Sequence, residues 1–350
     1  MMETDKLIVK KSAKVRLGII GFGNIGRHHL TAANANDSLQ VTAIADSNVP
    51  SKSTFNGSIP FFDDWKKLLN QSEIDAVSIC VPHYLHAPIA AAALVAGKNV
   101  LLEKPLGLNV EEGKKLIEIA GREQRILMVE MTHRFYPAMR EACSFVQSGQ
   151  LGEIYAVEDR IVETANSQIK PWFKKKATAG GGVALTNGIH MVDRIAAITE
   201  QQLKFVSGRA GYSAQMGDVE DMAAMLFTLE NGAPVQVFAA WPKGHRSSDD
   251  ELTMYGTKGT LRVWAWRGWR FEPINGEVTQ EHFVYSAKDD LDARVLSGVA
   301  NALQEFASAL TENREPNPPA TAALQAQMLI EEFYDCAAKS TFEDSVNHAG

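Results

Sequence analysis

Short apolar runs alternate with helical patterns between Val15 and about Glu130. Each run is nearly continuous and of strand length, and the segment after it carries apolar residues at helical spacing. Strands of a parallel sheet have this composition because helices cover both of its faces. The pattern predicts an α/β domain with strands at Val15–Ile20, Leu39–Ala45, 75–81, Asn99–Glu103 and 126–130. Its predicted helices lie at 27–33, 63–70, 86–96 and Val110–Arg122.

The pattern changes after a predicted helix at 138–147. Apolar runs are now separated by short turns, including the hairpin dipeptides Asn231-Gly232 and Lys258-Gly259. This indicates a second, α+β domain built on a mostly antiparallel sheet. Its predicted strands are 154–161, 203–212, 222–229, 235–240, 251–255, 259–266 and 271–273. Two helices are predicted to follow, at 291–310 and, after a proline-rich break, at 321–338.

Length, composition and charge narrow the class of protein. A chain of 350 residues is long for one hydrophobic core, so two domains are expected. With 45% hydrophobic and 22% charged residues, the composition is that of a soluble globular protein. The net charge of -7 argues against nucleic acid as a partner. The sequence contains no run of signal-peptide or membrane-spanning type, so we expect no membrane contact and a cytoplasmic location.

The cysteine pattern points to a reducing compartment. Cys80, Cys143 and Cys336 are widely spaced and odd in number. Such spacing indicates neither a disulfide framework nor a zinc site, and no metal site is predicted.

A glycine-rich turn joins the first strand to the first helix. The first glycine of such a turn allows tight backbone dihedrals, the second lets a pyrophosphate approach, and the third lets helix and strand pack closely. The helix N-terminus then favours phosphate charge. A carboxylate that binds ribose is expected about 20 residues later, and Asp46 ends the second strand there. The motif therefore predicts dinucleotide binding by Gly21, Phe22, Gly23, Asn24, Ile25 and Gly26.

Further polar residues follow the later strands of the first domain. Val81-Pro82-His83-Tyr84-Leu85-His86 follows the third predicted strand, and Glu103-Lys104-Pro105 ends the fourth. Because ligands of such sheets bind outside the carboxyl ends of the strands, one crevice is expected to collect these residues. In the second half of the chain, Gly180-Gly181-Gly182 precedes Gly188-Ile189-His190-Met191-Val192-Asp193.

Together, these motifs resemble those of the glucose–fructose oxidoreductase / inositol dehydrogenase (Gfo/Idh/MocA) family, from about Val15 to Ser340. The resemblance implies a Rossmann NAD(P)-binding domain, here at 14–132. It also implies a substrate-binding and oligomerisation domain with an open-faced sheet, here at 133–340. Residues 1–13 and 341–350 are predicted to be flexible tails. A homodimer or homotetramer formed through the open sheet is expected.

Lys104 and His190 are the candidate catalytic residues. A lysine fixed by Pro105 beyond a strand end could reach a substrate hydroxyl, and the family lysine at this position polarises the reacting C–O group. An imidazole can accept the hydroxyl proton and return it, which is the role of the matching family histidine. The resemblance also allows a cis peptide before Pro105.

Thr186 departs from the family pattern. Polyol dehydrogenases of the family carry an aspartate four residues before the histidine, whereas a threonine cannot supply negative charge at neutral pH. An Asp–His relay therefore cannot be transferred to this chain. Asp193 shares a helical face with His190 and is a candidate substitute, although its family counterpart is usually structural or close to the substrate.

Other substrate contacts are expected at the mouth of the crevice. Arg134 is either a substrate ligand or a structural ion-pair partner, and Trp172 offers an aromatic face to a sugar. The run Lys174–Lys176 is either a site for an acidic group or a solvated surface, the latter being commoner. The dense tryptophans Trp264, Trp266 and Trp269 are expected to be buried in an oligomer interface. The predicted substrate-binding residues are Lys104, Tyr84, Arg134, Trp172, Thr186, Asn187 and His190.

Asp46 decides the predicted cofactor. Its carboxylate would accept hydrogen bonds from both ribose hydroxyls but would repel a 2′-phosphate, and Ser47-Asn48 adds no basic partner. NAD is therefore favoured over NADP. Further cofactor contacts are predicted at Ser47, Val81, Pro82, His86, Glu103 and Lys104, with His86 alternatively only orienting its loop.

The predicted function is hydride transfer between nicotinamide and a secondary alcohol or ketone of a sugar, cyclitol or sugar derivative. Two alternatives stay open. One is redox-assisted sugar elimination or hydrolysis with retained NAD, for which Thr186 leaves room. The other is a non-catalytic NAD-binding sensor or assembly subunit, against which the presence of both Lys104 and His190 counts.

Overall fold

The structure of the chain is a computed structural model. It describes residues 14–48, 59–71, 73–164, 170–212, 216–242, 249–276, 278–283 and 291–347, with side chains of the last segment described at 293–338. The predicted N-terminal tail, the loop after Asn48 and the last residues of the predicted C-terminal tail lie outside these ranges.

The first domain is built on a six-stranded sheet in which all paired strands are parallel. Its order is β3-β2-β1-β4-β5-β6, so the chain runs outward from β1 in one direction and then in the other. A crevice for a ligand opens where the order reverses, between β1 and β4. The strands are β1 (Val15–Ile20), β2 (Leu39–Ala45), β3 (Phe61–Phe62), β4 (Ala76–Ile79), β5 (Asn99–Glu103) and β6 (Leu127–Glu130).

Helices cover both faces of this sheet, which explains its nearly continuous apolar strands. Apolar residues of α3 and α4 pack on one face, and those of α1 pack on the other. Asn109 caps α4, its side-chain oxygen accepting the Glu112 N–H. The helices are α1 (Asn24–Asn34), α2 (Trp65–Leu69), α3 (His86–Val95) and α4 (Val110–Arg122).

The second domain is built on an eight-stranded sheet of order β14-β13-β12-β11-β7-β10-β9-β8. Only β7 and β10 pair in parallel among its described strands, and the other pairs are antiparallel. The strands are β7 (Ile154–Val162), β8 (Lys204–Gly211), β9 (Met222–Thr228), β10 (Pro234–Ala240), β11 (Asp249–Gly256), β12 (Gly259–Trp264), β13 (Gly268–Pro273) and β14 (Gln280–Phe283). This topology confirms the predicted fold class.

One face of the second sheet is buried and the other is exposed. On β9, for example, Met225 and Phe227 are buried while Leu226 between them is 46% exposed. Helices α5, α7 and α9 lie on the buried side. The remaining helices are α5 (Pro137–Gln147), α6 (Lys176–Ala179), α7 (Ile189–Thr199), α8 (Leu291–Glu312) and α9 (Ala320–Asn347).

Helix α8 returns to the first domain, although the predicted boundary at residue 133 places it in the second. Its buried residues Val299, Leu303 and Phe306 join one apolar cluster with Leu17 and Ile19 of β1. The helix thus covers the sheet face beside α1. The predicted division by sequence position missed this because an amphipathic pattern does not say which sheet it covers.

Several element limits differ from the prediction. The strands β3 and β14 were not predicted, because β3 has only two residues and the four residues of β14 are all exposed and mostly polar. The second hairpin turn is Thr257-Lys258 rather than Lys258-Gly259, because Gly259 already pairs with Gly256. Helix α9 continues past the predicted end at residue 338 to Asn347, into the segment predicted to be a tail. The Lys104–Pro105 peptide is cis, as the family resemblance implied.

Candidate functional site

A cavity of about 1400 Å³ lies between the carboxyl edge of the first sheet and the second domain. One end of the cavity is bordered by the glycine turn and Asp46, and the other end is bordered by Lys104 and His190. From the second domain, Glu163, Trp241 and the segment before α7 complete the wall. The predicted residues that line it are Gly21, Phe22, Gly23, Asn24, Ile25, Asp46, Ser47, Val81, Pro82, Tyr84, His86, Glu103, Lys104, Trp172, Thr186, Asn187 and His190.

The glycine turn has the shape that a pyrophosphate needs. Gly21 has a φ of 91°, and a Cβ on it would lie 2.3 Å from the Cys80 carbonyl oxygen. A Cβ on Gly26 would lie 2.0 Å from the Gly21 oxygen, so the third glycine serves packing and does not line the cavity. A Cβ on Gly23 would meet only the Lys170 Nζ, at 3.5 Å. The second glycine therefore borders open space, which fits a bound dinucleotide.

Asp46 is oriented by two backbone N–H groups. Its Oδ2 accepts the Phe22 N–H at 2.6 Å, and its Oδ1 accepts the Asn48 N–H at 2.8 Å. The carboxylate is thus tied to the glycine turn and lines the same cavity. Since each carboxylate oxygen offers two lone pairs, acceptor sites are left for ribose hydroxyls.

Lys104 extends from the end of β5 to the second domain. Its Nζ donates to the Thr186 carbonyl oxygen at 2.9 Å. Burial lowers the pKa of the ammonium, and the carboxylates of Glu103 and Glu163 oppose this shift. The group is a positioned cation and hydrogen-bond donor inside the cavity.

Glycines fix the segment that leads to His190. A Cβ on Gly182 would lie 1.8 Å from the Glu220 carbonyl oxygen, so only glycine fits there. The Glu220 carboxylate accepts the N–H groups of Gly182 and Ala184, both at 2.9 Å. A wide, π-helical turn at Ala184–Gly188 then leads into α7, in which His190 is the second residue.

His190 is a buried, neutral imidazole. Its ring stacks on that of His133 with centroids 4.3 Å apart and planes inclined by 8°. Burial lowers the pKa of His190 well below the ordinary value, and His133, Lys104 and Arg194 lower it further. Its Nδ1 is buried without a hydrogen-bond partner in the structure. A neutral ring in contact with the cavity can accept a proton.

A buried arginine holds the His133 ring. The Arg194 Nη1 lies 3.4 Å from the His133 Nδ1, which must be the acceptor because a guanidinium only donates. Arg194 is itself paired with Asp159, and with Asp250 at 2.7 Å. Burial, Arg194 and Lys104 lower the pKa of His133, so this ring is also neutral.

Thr186 and Asn187 stand at the centre of the site. The Thr186 Oγ1 and the Asn187 Oδ1 are buried and have no hydrogen-bond partner in the structure. The Asn187 Nδ2 donates to the Glu163 Oε2 at 2.9 Å. Glu163 was not singled out in the sequence. It follows β7 directly, and a charged residue just beyond a strand end was the signal that identified Asp46 and Lys104.

Arg134 does not reach the cavity. Its guanidinium makes a two-point ion pair with Asp193, with N–O distances of 2.7 and 2.6 Å. Of the two roles predicted for Arg134, this contact supports that of a structural ion-pair partner rather than that of a substrate ligand. Asp193 cannot replace the family aspartate either, because Arg134 occupies both of its oxygens away from the cavity lining.

The histidines of the 83–86 turn support the cavity wall. The His86 Nδ1 lies 2.6 Å from the Pro105 carbonyl oxygen, and its Nε2 lies 2.9 Å from that of Val81. His86 therefore links the loop after β4 to the loop after β5. This fits the alternative in which His86 only orients its loop. The His83 Nδ1 donates to the Ala179 carbonyl oxygen, and its ring contacts Trp172 at 4.9 Å.

Among the described lysines of the second domain, Lys170 is the one that reaches the glycine turn. Lys170 lines the cavity, whereas Lys174, Lys175 and Lys176 do not. The run Lys174–Lys176 therefore fits a solvated surface rather than a site for an acidic group, because Lys175 and Lys176 are exposed. Lys170 was not predicted as a site residue, because nothing in its neighbouring residues distinguishes it from an ordinary surface lysine.

The three tryptophans expected in an interface contact their own chain. The Trp264 indole donates to Glu251 at 3.0 Å, and that of Trp269 donates to Glu141 at 3.1 Å. Trp266 lies edge-on to the His133 ring, with centroids 6.2 Å apart. Trp266 thus packs behind the stacked histidines and supports the site from within.

A buried polar cluster lies behind Lys104. The His29 Nε2 is 3.0 Å from the Glu130 Oε2 and 3.7 Å from the Glu103 Oε1, and the His29 Nδ1 is 2.7 Å from the Ser78 Oγ. Burial raises the pKa of Glu130. Burial alone would lower the pKa of His29, but Cys80, Glu130 and Glu103 raise it well above the ordinary value. The cluster therefore holds protons inside the first domain, although its spacing also suits a cation, which the sequence did not predict.

Comparisons with known proteins agree with this geometry. Residues 15–131 match the family model described as "Oxidoreductase family, NAD-binding Rossmann fold", and residues 139–262 match the "GFO/IDH/MocA C-terminal domain". Among the described residues, none of the helices is long and apolar enough to cross a membrane.

Two curated relatives match over nearly their whole length. The rhizopine catabolism protein MocA of Rhizobium meliloti is 25% identical over 85% of this chain and 95% of its own. Inositol 2-dehydrogenase of Rhizobium meliloti (strain 1021) is 23% identical over 94% and 97%. The structure of levoglucosan dehydrogenase with NADH and levoglucosan has a TM-score of 0.82 at 22% identity, covering 93% of this chain and 98% of its own. This structural likeness shows a shared fold.

Proposed function

The chain belongs to the Gfo/Idh/MocA oxidoreductase family, and we propose that it uses NAD to oxidise a secondary alcohol of a sugar or cyclitol, or to reduce the matching ketone. The observation that carries this proposal is the meeting of Lys104 and His190 in one cavity with the glycine turn and Asp46. Relatives named as inositol 2-dehydrogenase and levoglucosan dehydrogenase support the substrate class.

The cofactor assigned by this proposal is NAD. The glycine turn would hold the pyrophosphate, and the Asp46 carboxylate would accept hydrogen bonds from the adenosine ribose hydroxyls. A 2′-phosphate at that ribose would meet the Asp46 carboxylate, which the Phe22 and Asn48 N–H groups hold in place. When bound, the nicotinamide ring supplies the acceptor or donor of a hydride.

Two residues of the chain handle the charge that develops on the substrate oxygen. The Lys104 ammonium donates a hydrogen bond to this oxygen and stabilises it as it becomes negative. The His190 imidazole takes the hydroxyl proton during oxidation and returns it during reduction. Its low pKa keeps it unprotonated at neutral pH, which is the form that oxidation requires. Burial of His190 in the wall of the cavity strengthens its interaction with the substrate.

The experiment is NADH formation with a panel of sugars, inositols and sugar acids. Wild type is expected to turn over at least one of them, and Lys104→Met to lose about 10²-fold or more of kcat. Lys114→Met, on the exposed face of α4, is the matched control and should keep full activity. Turnover that survives in Lys104→Met would contradict the assigned role.

A panel without turnover would overturn the dehydrogenase proposal. NAD that stays bound through purification, with sugar cleaved but no net NADH, would then support redox-assisted elimination. NAD binding with no chemistry on any substrate would support a sensor or assembly subunit.

A further inference from the structure

Charge balance at the candidate catalytic residues calls for a carboxylate. His190 must become an imidazolium when it takes up a proton, and the nearby groups Lys104 and Arg194 are positive. Thr186 supplies no charge, and Asp193 is tied to Arg134. Asp46 belongs to the other end of the cavity. The predicted Glu103 also lines the cavity, but it belongs to the cluster with His29 and Glu130. Of the described carboxylates that line the cavity beside Lys104, Glu163 is the one contributed by the second domain.

The backbone places Glu163 where two strands end together. Its N–H donates to the Ala240 carbonyl oxygen at 3.0 Å, continuing the parallel pairing of β7 with β10. Carboxyl ends of parallel strands share one edge of a sheet, and this edge faces the first domain's cleft. Glu163 directly follows β7 of the second sheet, just as Lys104 directly follows β5 of the first.

Glu163 and Lys104 are anchored on neighbouring residues. The Glu163 Oε2 accepts the Asn187 Nδ2 at 2.9 Å, while the Lys104 Nζ donates to the Thr186 carbonyl oxygen at 2.9 Å. Carboxylate and ammonium are thus held by one turn of chain, just before His190. A carboxylate has about four acceptor sites, and Asn187 uses one of them.

Groups on several elements set the charge of Glu163. Burial raises its pKa, the Asn187 hydrogen bond lowers it, Asp250 of β11 raises it, and Lys104 and the Trp241 indole lower it. Asp250 is in turn paired with Arg194 of α7. Glu163 therefore titrates above an ordinary glutamate.

We propose that Glu163 is a catalytic carboxylate of this site, which binds a substrate hydroxyl adjacent to the reacting carbon and balances the charge that His190 gains with the substrate proton. This inference rests on the proposed function and narrows its substrate class. The substrate is a vicinal diol, with one hydroxyl on Lys104 and His190 and its neighbour on Glu163. An isolated secondary alcohol lacks the second contact and is a poor substrate.

The test compares Glu163→Gln with Glu153→Gln, whose side chain is exposed before β7. Glutamine keeps the shape and loses the charge. For the best diol of the panel, Glu163→Gln is expected to lower kcat/KM about 10²-fold and to abolish the acidic inflection of its pH profile. Glu163→Asp should keep that inflection. For the analogue that lacks the neighbouring hydroxyl, wild type should already be slow, and Glu163→Gln should cost it less activity than it costs the diol.

Calorimetry supplies a readout that does not need turnover. Glu163→Gln should weaken binding of the diol to the NAD-loaded protein about tenfold and leave NAD affinity and the melting temperature unchanged. An unaltered pH profile and diol affinity would overturn the inference, as would equal losses for the diol and its deoxy analogue. A diol that binds through Glu163 but is never oxidised would instead overturn the proposed dehydrogenase function alone.

Discussion

Lys170 is a side chain of the second domain that lies beside the open glycine of the first. Its Nζ is the nearest group to a Cβ placed on Gly23, at 3.5 Å, and it lines the cavity. A pyrophosphate seated on the glycine turn would therefore be bound by the turn's N–H groups below and by an ammonium above.

Lys170→Gln is expected to weaken NAD binding about tenfold, and to make the affinity less sensitive to salt, because one exposed ion pair with phosphate is lost. Fluorescence titration with NAD at low and high ionic strength measures both effects. Lys175→Gln, in the same loop but away from the cavity, is the control. Equal affinities for wild type and Lys170→Gln would show that the ammonium does not contact the cofactor.

At the scale of residues, sequence identifies what a local motif fixes. Gly21, Gly23 and Asp46 were predictable because strand, turn and helix are consecutive in the chain. Glu163 and Lys170 were not, since their place depends on how the second sheet docks against the first. Arg134 was ambiguous for the same reason, because only the fold brings Asp193 to it.

Arg194 joins three elements of the second domain through buried ion pairs. It lies on α7 and binds Asp159 of β7 and Asp250 of β11, with all three side chains almost fully buried. Burial raises the pKa of Asp159 to about 6, and Arg194 holds it from rising further. Removal of the arginine leaves two carboxylates close together in the core.

Arg194→Met is expected to cost about 3–5 kcal/mol of unfolding free energy, because it strands buried charges. Arg16→Met, which breaks an ion pair whose side chains are each 41% exposed, should cost about 0–1 kcal/mol. Urea unfolding of both variants gives the comparison. Similar midpoints for the two would mean that the buried network contributes no more than a surface pair.

The cluster of His29, Glu103 and Glu130 joins α1 to β5 and β6. The pKa values of Glu130 and His29 are raised in the folded protein, above the ordinary values of 4.5 and 6.5. As the pH rises past these ordinary values, the unfolded chain releases protons that the folded protein still holds. Stability from the cluster is therefore fully present at low pH and is lost as pH rises through the folded-state pKa values.

Glu130→Gln should flatten this dependence. With residue 130 no longer titrating, and with one of the groups that raise the pKa of His29 removed, the loss of unfolding free energy between about pH 5 and pH 9 should shrink by about 1–2 kcal/mol. Chemical denaturation across that range measures it, with Glu118→Gln on exposed α4 surface as the control. An unchanged slope would show that the cluster does not exchange protons on folding.

At the scale of elements, hydrophobic spacing located nearly every long helix and strand, because burial and periodicity coincide there. Strands β1 and β5 and helix α4 have the predicted limits. The misses are elements with weak periodicity, such as β3 and β14. The wide turn before α7, which carries Thr186 and Asn187, was also beyond reach, since Glu220, a residue distant in sequence, fixes it.

The outer face of the second sheet carries exposed apolar side chains. Tyr155, Val206 and Leu226 are 55%, 57% and 46% exposed. Such an exposed apolar face is typical of a surface that another subunit covers. The expected homodimer or homotetramer through this sheet accords with it.

Leu226→Glu is expected to convert the oligomer to monomers, because it places a charge within the covered face. Sedimentation or light scattering at several concentrations gives the mass. Val95→Glu alters an apolar residue that is more exposed still, on α3 in the first domain, and should leave the mass unchanged. A monomeric wild type would rule out the expected assembly, and an oligomeric Leu226→Glu variant would place the interface elsewhere.

At the scale of the molecule, the order of the two domains follows from sequence but their division does not. The first sheet ends with β6, and α8 later packs Val299, Leu303 and Phe306 against β1. A fragment ending at residue 132 would expose the apolar face that this helix covers.

The return of α8 also sets the order in which the protein can mature during synthesis. The glycine turn and Asp46 are made first, but the sheet that carries them keeps one apolar face partly bare until Glu312 has left the ribosome. The nascent first domain must therefore wait for almost the whole chain, and it is the segment that a chaperone would have to shield meanwhile.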